Sequence, residues 1–143
     1  MGEKTTSMRN AFLDTAFAIA LVNKRDTYHD KARALLQKIE QERTSIITTQ
    51  AVLIEIGNAL AGPALRRIAA GYIERLEKDS SVEVVPISDE LLQQGLTLYR
   101  ERPDKAWGLT DCISFVVMQE RGITDAMTAD RHFEQAGYTA ILR

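Results

Sequence analysis

What is scarce in this chain narrows its class first. A single cysteine, Cys112, leaves no partner for an intrachain disulfide and suits a reducing cytosol. With no Cys/His cluster there is no pattern of zinc ligands. No apolar run approaches the roughly 18 residues that cross a bilayer. The N-terminal apolar patch is interrupted by Asp14 and lacks a small-residue cleavage site, so it reads as strand plus helix, not a signal peptide. These absences together point to the cytoplasm. Ser/Gly linkers, low-complexity tracts and internal repeats are also missing. The expected organisation is a flexible N-terminal segment, residues 1–8, followed by one domain over residues 9–143, a length that can bury a sizeable core. A basic excess, the plain signature of a nucleic-acid binder, is lacking too: 18 Lys+Arg stand against 20 Asp+Glu, for a formal charge of −2.

What is present is an alternation. Short β-rich runs fall at Asn10–Asp14, Ser45–Thr49, Val82–Pro86, Asp125–Ala129 and Tyr138–Leu142. Between them apolar residues recur at helical spacing. The stripes are Tyr28, Ala32, Leu35, Leu36 and Ile39; Leu65, Ile68, Tyr72 and Leu76; Leu91, Leu92, Gly95, Leu96 and Tyr99; and Leu109, Cys112, Ile113, Val116 and Val117. Gly62-Pro63 reads as a break, with Pro63 opening the next helix. Strands alternating with helices predict an α/β fold, a mostly parallel sheet covered on both faces. In such sheets ligands bind outside the carboxyl ends of the strands, near the point where strand order reverses.

Acids gather where that geometry places a site. Asp14 closes "NAFLD" and Asp130 follows "AMTA", so both sit at strand ends. Asp111 falls in the first turn of the helix "LTDCISFVVMQERG", with Thr110 expected as its N-cap. Glu55 lies at the margin of a buried stripe made by Val52, Leu53, Ile56 and Leu60. Taken singly, each acid is better explained as a helix cap or a solvated side chain. Taken jointly, four converging carboxylates would drive at least one to protonate unless a cation relieved the repulsion. Mg²⁺ or Mn²⁺, hard ions that favour carboxylate oxygen, suit that task. Without these four acids the count becomes 18 against 16, or +2, which permits a polyanionic ligand.

The ordered set "FLDTAF", "EIGNAL", "LTDCISF" and "TADRHFEQAGY" resembles the PIN domain, in particular VapC-like toxin ribonucleases, from about Arg9 to Arg143. That resemblance implies a three-layer α/β/α sandwich with five strands in the order 3-2-1-4-5. It implies that Asp14, Glu55, Asp111 and Asp130 bind one or two Mg²⁺ or Mn²⁺ ions, with Thr15, Asn58, Thr110 and Thr128 supporting the carboxylates. It further implies RNA cleavage by a metal-activated water, leaving 5′-phosphate and 3′-hydroxyl ends. A homodimer and a small antitoxin protein are the implied partners. One departure stands out: some relatives carry a further acid where this chain has Ser114, which puts a second metal position in question.

Other side chains read less sharply. Lys105, Arg131 and His132 are candidates for RNA contact, against the blander reading of solvated helix residues. Trp107 reads as an anchor for the loop before the Asp111 helix in preference to a base-stacking surface. Cys112 lies on an apolar stripe and reads as a buried structural thiol, not a nucleophile. A phosphoacceptor receiver would need an acidic pair after the first strand and a Lys after the last, and "FLDTAF" and "YTAILR" supply neither. A phosphatase of the Asp-x-Asp-x-Thr type fails at Ala16. The remaining alternative is a catalytically silent PIN-fold module that binds RNA or protein, and the presence of all four acids argues against it.

Overall fold

The structure, a computed structural model, describes residues 8–143. Most of the segment expected to be flexible, residues 1–7, lies outside the described residues. Met8 itself is held, its N–H donating to Glu42 (3.3 Å) and its carbonyl accepting from the Thr44 hydroxyl (3.0 Å).

Five parallel strands carry the fold: β1 (Asn10–Leu13), β2 (Ser45–Thr49), β3 (Val82–Val85), β4 (Asp125–Met127) and β5 (Thr139–Ala140), in the order β3-β2-β1-β4-β5. This is the order that the resemblance implies. Seven helices are seen among the described residues: α1 (Thr15–Val22), α2 (His29–Glu42), α3 (Gln50–Ala59), α4 (Arg66–Lys78), α5 (Asp89–Glu101), α6 (Leu109–Arg121) and α7 (Arg131–Gln135). Consecutive residues Ala11, Phe12 and Leu13 of β1 are all buried, as are Ala126 and Met127 of β4. Successive strand residues point to opposite faces, so both faces of the central sheet are covered. The chain runs β1 to β3 toward one edge, then crosses back to lay β4 on the other side of β1. The strand order therefore reverses between β1 and β4, the switch point of a doubly wound sheet.

Aromatic packing ties the helices near that switch point to the sheet. Phe115 of α6 meets Phe133 of α7 edge-on at 4.9 Å and Trp107 at 5.0 Å, while Phe133 lies 6.4 Å from Phe12 of β1. Such T-shaped pairs add about 0.5–1.5 kcal/mol beyond the area they bury. The Trp107 indole N–H also donates to Gln135 (3.0 Å), so the tryptophan anchors its loop. Gly122, at φ 64°, ends α6 in the left-handed conformation and turns the chain toward β4.

Several local expectations are corrected. The N-cap of α6 is Gly108, not Thr110, which is the second residue of the helix; the chain becomes helical earlier because the Asp111 carboxylate accepts the Gly108 N–H. Pro63 does not open α4: it sits in a turn closed by Leu65 and Arg66 N–H bonds to the Gly62 carbonyl, and α4 starts at Arg66. Ile68 and Tyr99, both assigned to buried stripes, are 52% and 51% exposed. Each lies at the margin of its stripe, where one step of 100° carries a side chain from core to solvent. The strand ends are also shorter than the β-rich runs. Asp14 leaves the ladder as the N-cap residue of α1, Pro86 has no N–H to offer it, and β4 stops before Thr128.

Candidate active site

The parallel register of β1 and β4 sets Leu13 level with Met127, so the next residues, Asp14 and Thr128, leave the sheet side by side. The Thr48 hydroxyl of β2 donates to the Leu13 carbonyl (2.8 Å) and fixes the exit of the chain from β1. Asp14 is 3% exposed, yet its side chain makes no cap bond to α1. It accepts instead from the Thr128 hydroxyl at 2.8 Å, and the same hydroxyl oxygen accepts the Asp130 N–H at 3.0 Å. One threonine thus links the two strand-end acids.

Asp111 arrives from the other direction, on the first turn of α6. Its Oδ2 accepts the Gly108 N–H (3.0 Å) and lies 3.0 Å from His132 Nδ1. His132 in turn lies 3.5 Å from an Asp130 oxygen, and that oxygen caps α7 through the His132 backbone N–H (2.9 Å). One potential ligand atom each from Asp111, Asp130 and His132 falls within 4.8 Å of the others.

The electrostatics follow from this crowding. Burial drives the Asp14 carboxyl up to about 7, with the charges of Asp111 and Asp130 adding to it and the Thr128 hydroxyl opposing. Burial also raises Asp111, against the Gly108 N–H and His132. A site that penalises its own negative charge, and offers carboxylate oxygens with one imidazole at its mouth, fits a hard divalent cation. The Thr15 hydroxyl, next to Asp14 in the chain, is buried without a hydrogen-bond partner among the described residues.

The structure therefore brings together Asp14, Asp111, Asp130, Thr128 and His132, with Thr15 adjoining. Thr110 stands beside Asp111, its carbonyl taken by the Ser114 hydroxyl (2.9 Å). Ser114 is fully buried in α6. Glu55 is half-buried on α3 and is not among the groups that bear on Asp14 or Asp111; Asn58, a turn later, is exposed. Arg131 is exposed at the start of α7 and Lys105 is half-buried in the loop before α6. Sequence reasoning missed Gly108 as the donor that fixes Asp111, and it weighed His132 between an RNA contact and a solvated helix residue without seeing that it stands between two acids. The Asp130-x-His132 spacing at a helix start was the available signal, since a cap residue and the residue two beyond it share one end of the helix.

Comparison with known proteins places this architecture. The PIN domain family matches residues 11–137. The chain belongs to that family. As a PIN domain it is similar to the "23S rRNA-specific endonuclease VapC20" of Mycobacterium tuberculosis, found in two strains. The identity is 27% over 130 residues, covering 91% of this chain and 96% of the relative. The crystal structure of VapC20, described as a sarcin-ricin loop cleaving toxin, matches with a TM-score of 0.79 at 25% identity, over 91% of this chain and 97% of that one. The fold, the acidic switch-point cluster and the nuclease relatives agree.

Proposed function

We propose that this PIN domain is a divalent-metal-dependent endoribonuclease and the toxin half of a toxin–antitoxin pair, its site built on Asp14, Asp111 and Asp130 with Glu55 at the rim. The observation that carries this reading is the buried Asp14 carboxylate, which makes no side-chain cap bond to α1 and feels the charges of two further carboxylates, Asp111 and Asp130. The similarity to VapC20 supports RNA as substrate class and a small antitoxin as partner. Homodimerisation is the assembly that the family resemblance favours, and the cytoplasm is the compartment. Among the described residues no helix is long and apolar enough to cross a membrane.

Mg²⁺ or Mn²⁺, as one or two ions, would be held by Asp14, Glu55, Asp111 and Asp130, and supplies an acidified water and countercharge for the scissile phosphate. The chain's own groups do the positioning. Thr128 aims Asp14 and braces the Asp130 backbone; Gly108 holds Asp111; His132 spans Asp111 and Asp130. Thr15, Thr110 and Asn58 complete the polar surround. Lys105 and Arg131 flank the acids with positive charge for the RNA backbone.

The test uses purified chain free of any antitoxin, with Asp14→Asn prepared in parallel. Cleavage of single-stranded RNA or of a structured loop should require Mg²⁺ or Mn²⁺, stop in EDTA and leave 5′-phosphate ends. Activity that persists in EDTA, or 2′,3′-cyclic phosphate ends, would make the ribose hydroxyl the nucleophile and overturn the mechanism. RNA binding without any cleavage would favour the silent module.

A further inference from the structure

Beside the acidic cluster lies a second concavity of opposite character. It is an open cleft of about 750 Å³ between the last turns of α5 and the loop leading into α6, walled by Tyr99, Arg100, Arg102, Lys105 and Trp107. This is within the range of roughly 300–1,000 Å³ typical of small-ligand sites. Two of its walls are already committed. Arg102 pairs with Asp104 through two bonds of 3.0 Å and stacks over Trp107 at 5.0 Å, and Trp107 is buried and bonded to Gln135. The other walls are not. Arg100 and Lys105 form no side-chain ion pair among the described residues, although Asp104 feels Lys105. Tyr99 presents an aromatic ring that is 51% exposed, one of three large hydrophobic side chains so exposed among the described residues. Gly108, at the end of this wall, is the residue whose N–H holds Asp111.

We propose that this cleft is a nucleotide subsite that seats one unpaired residue of the RNA next to the scissile bond, its base on Tyr99 and its phosphate between Arg100 and Lys105. The inference rests on the endoribonuclease reading and deepens it. The acid-lined centre repels a polyanion, so a strand needs cations close by to hold it there, and this cleft offers two uncommitted ones, Arg100 in the last turn of α5 and Lys105 on the loop leading to Asp111. A tyrosine face stacks on any base, so the subsite selects for single-stranded or looped-out RNA and not for a particular sequence.

The test is binding of a short fluorescent single-stranded oligoribonucleotide to full-length Asp14→Asn protein, which does not consume it, with Tyr99 varied in that background. Tyr99→Ala should weaken binding about 10-fold, and Tyr99→Phe should restore it because the ring is what stacks. Replacing both Arg100 and Lys105 with Ala should flatten the dependence of log affinity on log salt by about 0.7 per lost phosphate contact. In the otherwise wild-type enzyme Tyr99→Ala should raise KM more than it lowers kcat. Tyr99 and Arg100 are exposed and Lys105 is half-buried, and melting temperatures matched to the parent verify folding. If wild type cleaves RNA with Mg²⁺ and Asp14→Asn does not, yet Tyr99→Ala binds the probe as tightly as its parent, the subsite is wrong and the nuclease reading stands. If Tyr99→Ala instead changes the sedimentation of the free protein without touching RNA affinity, the cleft is a contact between copies of the chain. If wild type neither binds nor cleaves RNA, both readings fall.

Discussion

At Asp14 the surroundings work against the charge that the side chain carries in water. It has one side-chain donor, Thr128, and two carboxylate neighbours, so burial and repulsion hold its carboxyl near 7. An acid whose folded value lies above its unfolded value, 3.8, binds more protons folded than unfolded between those two points. Metal-free stability should therefore fall as pH rises from about 4 to 7, by at most about 1.4 kcal/mol per pH unit for one proton, and then level off. Asp14→Asn should flatten that slope while abolishing turnover; urea melts in EDTA at several pH values would check it. If Asp14 were a structural cap, the mutant would instead be less stable at every pH, by about 0.5–2 kcal/mol. Thr128→Val makes a second residue-scale forecast. It removes the hydroxyl shared by Asp14 and Asp130 at little cost in volume, and steady-state cleavage should drop about 10–100-fold, as for lost supporting bonds around metal ligands. Cys112, fully buried and with its thiol pushed up by that burial, should tolerate Ser with activity retained.

Helix α6 is the element on which the geometry turns, because it delivers Asp111 and is steered from both sides. On one side stands the aromatic chain through Phe115; on the other, α5 approaches closely enough that a Cβ at Gly95 would meet Ile113 Cγ1 at 2.6 Å. Gly95→Ala should thus destabilise by about 1–3 kcal/mol through overpacking, even though alanine favours the helix by about 1 kcal/mol. Turnover should fall with it as α6 shifts; a thermal melt and a cleavage assay on one preparation read both. The same helix shows what could be read without coordinates. Its period and its acid were plain, because burial leaves a stripe and an acid in the first turn is a familiar pattern. Its start was not, because the bond from Gly108 to Asp111 belongs to a residue without a side chain. Likewise the acids at the ends of β1 and β4 were visible as letters, whereas their shared threonine depends on strand register, and register depends on which strands are neighbours. Periodicity does not carry that order; it came with the family resemblance. Tyr99 shows the converse failure: an apolar residue at the edge of a stripe was assigned to the core when it faces solvent.

For the molecule as a whole, the crowded acids predict linkage between cation binding and folding. Mg²⁺ or Mn²⁺ should raise the melting temperature, since an ion that binds the native state alone stabilises it by about 2.7 kcal/mol at 100 times its dissociation constant. Asp14→Asn should lose most of that gain, and a metal titration followed by calorimetry would reveal it. No shift with metal in the wild type would remove the cation from the account. The sheet also limits how the whole molecule can self-associate. Its two outer strands are poor templates for a visiting strand. β5 is two residues long, and β3 is four residues long, is followed at once by Pro86 and carries Glu83, which is clamped by Arg121 through bonds of 2.7 and 2.6 Å. Short, charged, proline-ended edges discourage edge-to-edge pairing. Copies of this chain should therefore meet through helix faces, which leaves the sheet edges resistant to runaway fibre growth even at high protein concentration.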